Sequence, residues 1–391
     1  MTGGSGERRE RDPRRRRREP QRVEGPREAR GDRLPDLDGV LIVRKPIGPT
    51  SHDVVALVRR LASTRRVGHG GTLDPFATGV LPLFLGRATR VVEYHMGDGK
   101  RYRATVCFGA SSTTDDLEGE LTPHDGPGPT RDAVEAVLAG FRGSVVQVPP
   151  AYSAVKVAGR RAYALARAGK APELTPRTVT ISRIDLVGWD GTDAARPIAI
   201  VEVACSAGTY VRAIARDLGA ALGSAAYLGA LERTASGPFG IDAAVALDDL
   251  RPIGRDAIAR LLLPVDAGLD ALPVVELDAA GLEAVRRGQR VADRTGWVDR
   301  PERAEPTAGA RAEGADIADE AELAAGARAD AAGDQAVRQA GLVRLRAAGH
   351  GLVAIARRSD GWIAPVKVLV EPPATDTSRR DGDRRGPHGD A

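Results

Sequence analysis

Two cysteines, six histidines and an aromatic content of 4% in 391 residues limit what this chain can be. Cys107 and Cys205 sit in separate apolar runs. Two such residues build neither a disulfide framework nor a cysteine zinc site, so both read as buried thiols of a reducing compartment. The histidines show no metal-ligand spacing, and no metal is expected. No run of about 18 apolar residues is present to span a membrane. The N-terminus lacks the apolar core of a secretory signal, so a soluble, cytoplasmic protein is expected. A Gly-Lys-Ser/Thr phosphate loop and a Gly-x-Gly-x-x-Gly dinucleotide pattern are missing too.

What is present begins with charge. The net +4 suggests a nucleic-acid partner, but it is local. The first 36 residues hold 12 Arg against 8 acidic residues, and the rest of the chain holds 45 basic and 45 acidic residues. RNA affinity in the folded body must therefore come from local clustering. Residues 1–36, nearly free of apolar side chains, read as a disordered basic tail. Residues 299–335, with 10 acidic and 4 basic residues and no apolar stripe, read as an acidic low-complexity insertion. Residues 372–391 read as a second disordered tail.

Between these lie patterned segments. An apolar run at 39–43 predicts a strand, 45–49 a turn, and Thr50 or Ser51 the cap of a helix to Leu61. Strands are predicted at 102–108, 179–187 and 198–205, and helices at 131–141, capped by Thr130, and at 211–222. Further strands are predicted at 341–343, 351–355 and 362–370. Helices and strands interleave without a βα rhythm, which favours an α+β fold with a mixed sheet. The division expected is a body at 37–250 and a small β-rich C-terminal module at 251–298 and 336–371, split by the acidic insertion.

The chemistry concentrates in Gly68-His69-Gly70-Gly71-Thr72-Leu73-Asp74-Pro75-Phe76-Ala77-Thr78-Gly79-Val80-Leu81-Pro82. Clustered glycines permit close approach of another molecule. Taken alone, an Asp before Pro is most often a turn former. The long string, however, resembles the catalytic motif of the bacterial tRNA pseudouridine-55 synthases, the TruB family, in an actinobacterial-like form. Lys45-Pro46-x-Gly48-x-Thr50-Ser51, Lys100-Arg101-Tyr102, Pro149–Lys156 with Gly159–Tyr163, and Cys205–Arg212 resemble further family motifs in register. The resemblance covers residues 38–240 and weakens over the C-terminal module, which looks PUA-like.

The resemblance implies a pseudouridine synthase fold with a central mixed, mostly antiparallel sheet, and isomerisation of uridine-55 in the T-loop after the base is flipped out of its stack. It implies no metal and no cofactor, and the T-arm of tRNA as partner; a monomer is expected. It makes Asp74 the essential carboxylate, acting on the nucleoside either as nucleophile or as a base on the ribose. Arg212 would hold that carboxylate ionised, Tyr102 would stack on the base, Tyr210 would line the pocket, His69 would help extrude the nucleotide, and Leu228 would close the pocket. Lys45, Arg59, Arg60, Arg65, Arg66 and Lys156 are candidate RNA contacts. The alternatives are a guide-RNA-dependent synthase, a noncatalytic tRNA-binding or folding protein, and a glycosidase built on Asp115-Asp116.

Because residues 1–36 carry the net charge, deleting them is expected to weaken tRNA binding and flatten its dependence on salt while sparing turnover. The log–log slope falls by about 0.9 for each phosphate that the arm no longer neutralises. Filter binding across a salt series checks this, and an unchanged slope contradicts it.

Overall fold

The computed structural model describes residues 37–153, 156–157, 160–161, 174–294 and 340–371. The expected tails at 1–36 and 372–391 and the acidic insertion at 299–335 lie outside the described residues.

A 10-stranded sheet organises the body. Its order runs Val245–Ala246, Gly39–Lys45, Thr78–Leu85, Ala226–Ser236, Lys100–Phe108, Ile198–Cys205, Arg177–Asp190 and Gly143–Gln147, with Val67–His69 and Phe239–Gly240 pairing on the side. Two pairings, Val43 beside Val245 and Glu232 beside Thr78, are parallel, and the remaining ladders are antiparallel. The sheet is thus mixed and mostly antiparallel, as expected.

Strand alternation explains why this sheet is covered on both faces. In Gly39–Lys45, Leu41 and Val43 join one core while Val40 and Ile42 join another. Thr78–Leu85 divides the same way, with Leu81, Leu83 and Leu85 on one side and Val80 and Phe84 on the other. The first core is covered by helices Ser51–Leu61, Arg131–Leu138 and Val211–Ala221. The second takes in Leu269, Leu272, Leu342, Leu352, Ile355 and Leu369, so it ties the sheet to the C-terminal residues.

Helix Ser51–Leu61 starts at Thr50, whose hydroxyl accepts the Asp53 N–H at 3.1 Å while the Asp53 carboxylate accepts the Thr50 N–H at 2.9 Å. Such a reciprocal cap contributes about 1 kcal/mol. It also settles the choice between Thr50 and Ser51 and leaves the Ser51 hydroxyl for another task. The helix expected at 131–141 spans Arg131–Leu138 and closes in a 3₁₀ turn, Ala139–Phe141.

The C-terminal strands form a separate five-stranded sheet in the order Val274–Leu277, Leu342–Ala347, Gly351–Ser359, Trp362–Val368 and Val291–Ala292. It joins chain from both sides of the acidic insertion. It begins later than the sequence division at 251. Leu250 and Ile258 pack in the first core, and Leu263 exchanges backbone hydrogen bonds with Val40 at 3.0 and 2.9 Å. No helix among the described residues is long and apolar enough to cross a membrane.

Gly79 has φ +102, and a Cβ there would fall 2.2 Å from the Arg233 carbonyl oxygen. Gly79→Ala is therefore expected to lower stability by about 3 kcal/mol or more. Gly140→Ala, where a Cβ meets no neighbour within 4 Å, is expected to change it by less than about 0.5 kcal/mol. Urea unfolding of both variants makes the comparison.

Candidate active site

The glycine-rich loop leads from the short strand Val67–His69 to Thr78–Leu85 and is held almost residue by residue. The Gly70 N–H donates to Pro82 O at 2.9 Å. Arg233 donates to Gly71 O at 3.1 Å, Thr72 O at 3.3 Å and Val80 O at 2.7 Å. The Ser51 hydroxyl accepts the Leu73 N–H at 2.9 Å and donates to Leu73 O at 3.1 Å. Pro75 O accepts from Lys45 Nζ at 3.1 Å and from the Gly48 N–H at 2.9 Å. Lys45 is 0% exposed and Arg233 1%. Among the described residues neither cation has a carboxylate in hydrogen-bond contact; both are satisfied mainly by backbone carbonyls, which makes them costly to remove.

Asp74 projects from this loop. Arg212 Nη2 lies 3.1 Å from its Oδ2, and Arg212 Nη1 lies 3.1 Å from Asp116 Oδ2. Arg212 also donates to Thr114 O at 3.1 Å and Tyr152 O at 3.0 Å. It sits in the first turn of Val211–Ala221, where the helix dipole disfavours a cation, so two carboxylates offset an unfavourable placement. The side chains of Arg212 and Asp116 are 6% and 4% exposed, whereas that of Asp74 is 39% exposed. The cluster is closed at its Arg212–Asp116 end and open at Asp74.

Burial raises the Asp74 pKa above its ordinary 3.8; Arg212 opposes this, Asp116 adds to it and Lys45 opposes it. Burial likewise pushes Lys45 down to about 8, with Asp74 pulling the other way. The Asp74 carboxylate is thereby held more basic than a free one, with Arg212 and Lys45 favouring its charged form.

Tyr102 is partly exposed on strand Lys100–Phe108, opposite Arg233 in the neighbouring strand. Burial raises its phenol pKa, partly countered by Arg233, so the hydroxyl stays protonated. Tyr210 caps the Arg212 helix, and the Arg177 guanidinium lies 4.3 Å from its ring centroid. His69 Nδ1 accepts the Gly71 N–H at 3.3 Å, and its ring meets His52 edge-on at 5.5 Å. Burial, with His52 and Arg233, lowers the His69 pKa below 6.5. The ring is neutral near pH 7 and suited to positioning.

Several sequence candidates fall elsewhere. Lys45 is wholly buried and grips the loop from within, so it does not reach a phosphate. Leu228 is 0% exposed and its backbone pairs with Asp115 and Leu117, supporting the Asp116 loop. Leu231, opposite Ala104, lies nearer the Tyr102–Arg233 pair. Arg59 donates to Val67 O at 2.8 Å. With exposed Arg60, Arg65 and Arg66 it gathers at the far end of the 11-residue helix from Ser51, about 15 Å along its axis. The Lys156 side chain lies outside the described residues. Asp115 and Asp116 pair with separate arginines, Asp115 with Arg216 at 2.8 Å, and form no acid–base couple. Among the described residues no group of three or more His, Cys, Asp or Glu is placed to hold a metal ion.

Asp116, Ser51 and Arg233 are not legible in the sequence as partners of this site. Arg233 leaves one faint mark there, a charge in an inward register position between Leu231 and Ala235.

Residues 59–211 match the N-terminal domain of the TruB family pseudouridylate synthases, and residues 212–270 match the tRNA pseudouridylate synthase B C-terminal domain. The chain belongs to the TruB family of pseudouridylate synthases. It is accordingly an RNA pseudouridine synthase. The TruB member tRNA pseudouridine synthase B of Bradyrhizobium diazoefficiens is 44% identical over 66% of this chain and 75% of that protein. Those of Mycobacteroides abscessus and Thermobifida fusca are each 48% identical, over 65% of this chain and 84% and 86% of theirs. An archaeal box H/ACA sRNP Nop10–Cbf5 complex shares the TruB fold, with a TM-score of 0.56 and 24% identity over 86% of this chain and 87% of that one.

Folding raises the Asp74 pKa. The stability linked to this group is therefore present below pH 3.8 and is lost as pH rises through the folded value. Asp74→Asn is expected to unfold at pH 7 no earlier than wild type. Asp116→Ala, which takes a buried partner from Arg212, is expected to cost about 3 kcal/mol. Thermal unfolding of the two variants checks the contrast.

Proposed function

We propose that this chain is a stand-alone tRNA pseudouridine synthase that converts uridine-55 of the T-loop to pseudouridine, with Asp74 as the reacting carboxylate. The observation that carries this reading is the Asp74–Arg212–Asp116 triad, in which only the Asp74 end is open.

The reaction is an isomerisation. The N1–C1′ bond breaks, the base turns, C5 joins C1′, C5 gives up its proton and N1 gains one. Asp74 serves it either by attacking the nucleoside or by removing a ribose proton, and both routes need the ionised form. Arg212 orients the carboxylate and favours that form, while burial keeps it basic enough to act. Tyr102 offers a face for the uracil ring, a contact of about 1–3 kcal/mol. A T-loop uridine must leave its stack to reach this depth, and neutral His69 beside the loop is placed to stand in for the displaced base.

Relatives at 44–48% identity carry the name tRNA pseudouridine synthase B, which supports tRNA as substrate. The likeness to the H/ACA complexes, at 22–25% identity, bears on fold and gives the guide-dependent reading no further support.

Asp74→Asn is expected to retain T-arm binding within about threefold and to form no pseudouridine. Carbodiimide labelling with primer extension reads the product, and robust product from this variant overturns the assignment. Wild-type turnover is expected to fall on acidification with a midpoint above 3.8, because the group that must be ionised has a raised pKa. Arg212→Lys is expected to move that midpoint upward by about one pH unit.

A further inference from the structure

Gln147 and Arg177 face each other across the antiparallel strands Gly143–Gln147 and Arg177–Asp190. Their side chains therefore stand on the same face of the sheet. Both turn to the chain that enters the Arg212 helix. The Gln147 Oε1 accepts the Tyr210 N–H at 2.8 Å, and its Nε2 donates to Tyr210 O at 3.0 Å. That carbonyl also accepts the Ile214 N–H at 3.2 Å, an opening hydrogen bond of the helix. Arg177 covers the Tyr210 ring and donates through Nη2 to Gly208 O.

The arrangement matters because this helix has no side-chain cap of its own. The Ser206–Tyr210 turn includes Gly208 at φ +86 and closes through Thr209, whose N–H and hydroxyl donate to Ser206 O at 3.4 and 2.9 Å, while Tyr210 itself is gripped from the sheet. Gln147 is 2% exposed, and one side-chain amide grips both backbone groups of Tyr210. A buried amide satisfied at both ends resists displacement in either direction. Two residues beyond Tyr210 lies Arg212, whose reach to Asp74 is a single 3.1 Å contact.

We infer that Gln147 and Arg177 are positioning residues for the reaction: as a cross-strand pair they fix the first turn of the Arg212 helix, and through it the Arg212–Asp74 contact. Neither touches Asp74. Their influence passes through the Tyr210 backbone and the Tyr210 ring. The inference rests on Asp74 being the reacting carboxylate, but its geometric part can be read without turnover. Around Asp74 the charged groups are Arg212, Asp116 and Lys45. Of these, Arg212 is the one carried by the helix that the pair secures.

Two variants test it. Gln147→Met removes both hydrogen bonds while keeping the volume; Arg177→Lys keeps the charge and loses the planar fork. Thermal unfolding identifies which variant remains folded, and the partly exposed Arg177 position carries the test if Gln147→Met does not fold. The Asp74 carboxyl is followed directly by ¹³C titration of aspartate-labelled protein, with Asp74→Asn assigning the signal. If the pair positions Arg212, the Asp74 midpoint rises by about one pH unit in a folded variant, because the opposing cation is less well placed. Turnover of T-arm RNA falls about 10- to 100-fold, with KM changed less than about threefold. An unmoved Asp74 midpoint in a folded variant overturns the inference, as does a loss confined to KM. A moved midpoint in a protein whose wild type makes no pseudouridine keeps the positioning role and removes the proposed function instead.

Discussion

Buried cations holding carbonyl oxygens of the glycine-rich loop and of the chain beside it are the constraint on which the site depends. Arg233 takes Gly71, Thr72 and Val80, and Lys45 takes Pro46 and Pro75. A glycine-rich loop has high conformational entropy when free, and fixing each residue costs about 1–2 kcal/mol. Buried donors offset that cost, because breaking one of these bonds leaves a buried N–H without its acceptor. The loop is held for that reason, and Asp74 inherits its position from it.

The same constraint shapes the sheet. Arg233 belongs to Ala226–Ser236, the strand that runs parallel to Thr78–Leu85, and Gly79 must lack a side chain for those backbones to meet. Lys45 ends the neighbouring strand Gly39–Lys45. Ser51 opens the helix that follows and is free to bind the loop because Thr50 is the cap. Three pieces of structure thus deliver one buried donor each. Arg212 arrives from a fourth, and it alone meets a carboxylate that water can reach. A base that is partly exposed but more basic than usual follows from that arrangement.

The strands and helices that alternate or recur regularly are legible in the sequence. Asp74 is singled out in the sequence by the length of the string around it, and its role is the proposal made above. The partners beyond that string are unevenly legible. Tyr102 and Arg212 come to the surroundings of Asp74, and Tyr210 to the start of the Arg212 helix. Lys45 reads as a surface contact, because a lysine in a turn gives no sign of burial. The arginines at 59–66 lie close to Asp74 in sequence, yet a helix separates most of them from it. Asp116 looks like half of a carboxylate pair, and only the fold shows that its partner is Arg212. Gln147 and Arg177 carry no local pattern, since their pairing exists only across two strands and a turn more than 30 residues further on.

The most direct test of Asp74 as the reacting group of a stand-alone enzyme is tritium release from tRNA carrying 5-³H-uridine, incubated with the purified chain and nothing else. The expected result is one tritium released per tRNA, traced by primer extension to the T-loop uridine, with none released by Asp74→Asn. No release without an added guide RNA or protein partner, or equal release by Asp74→Asn, would contradict it.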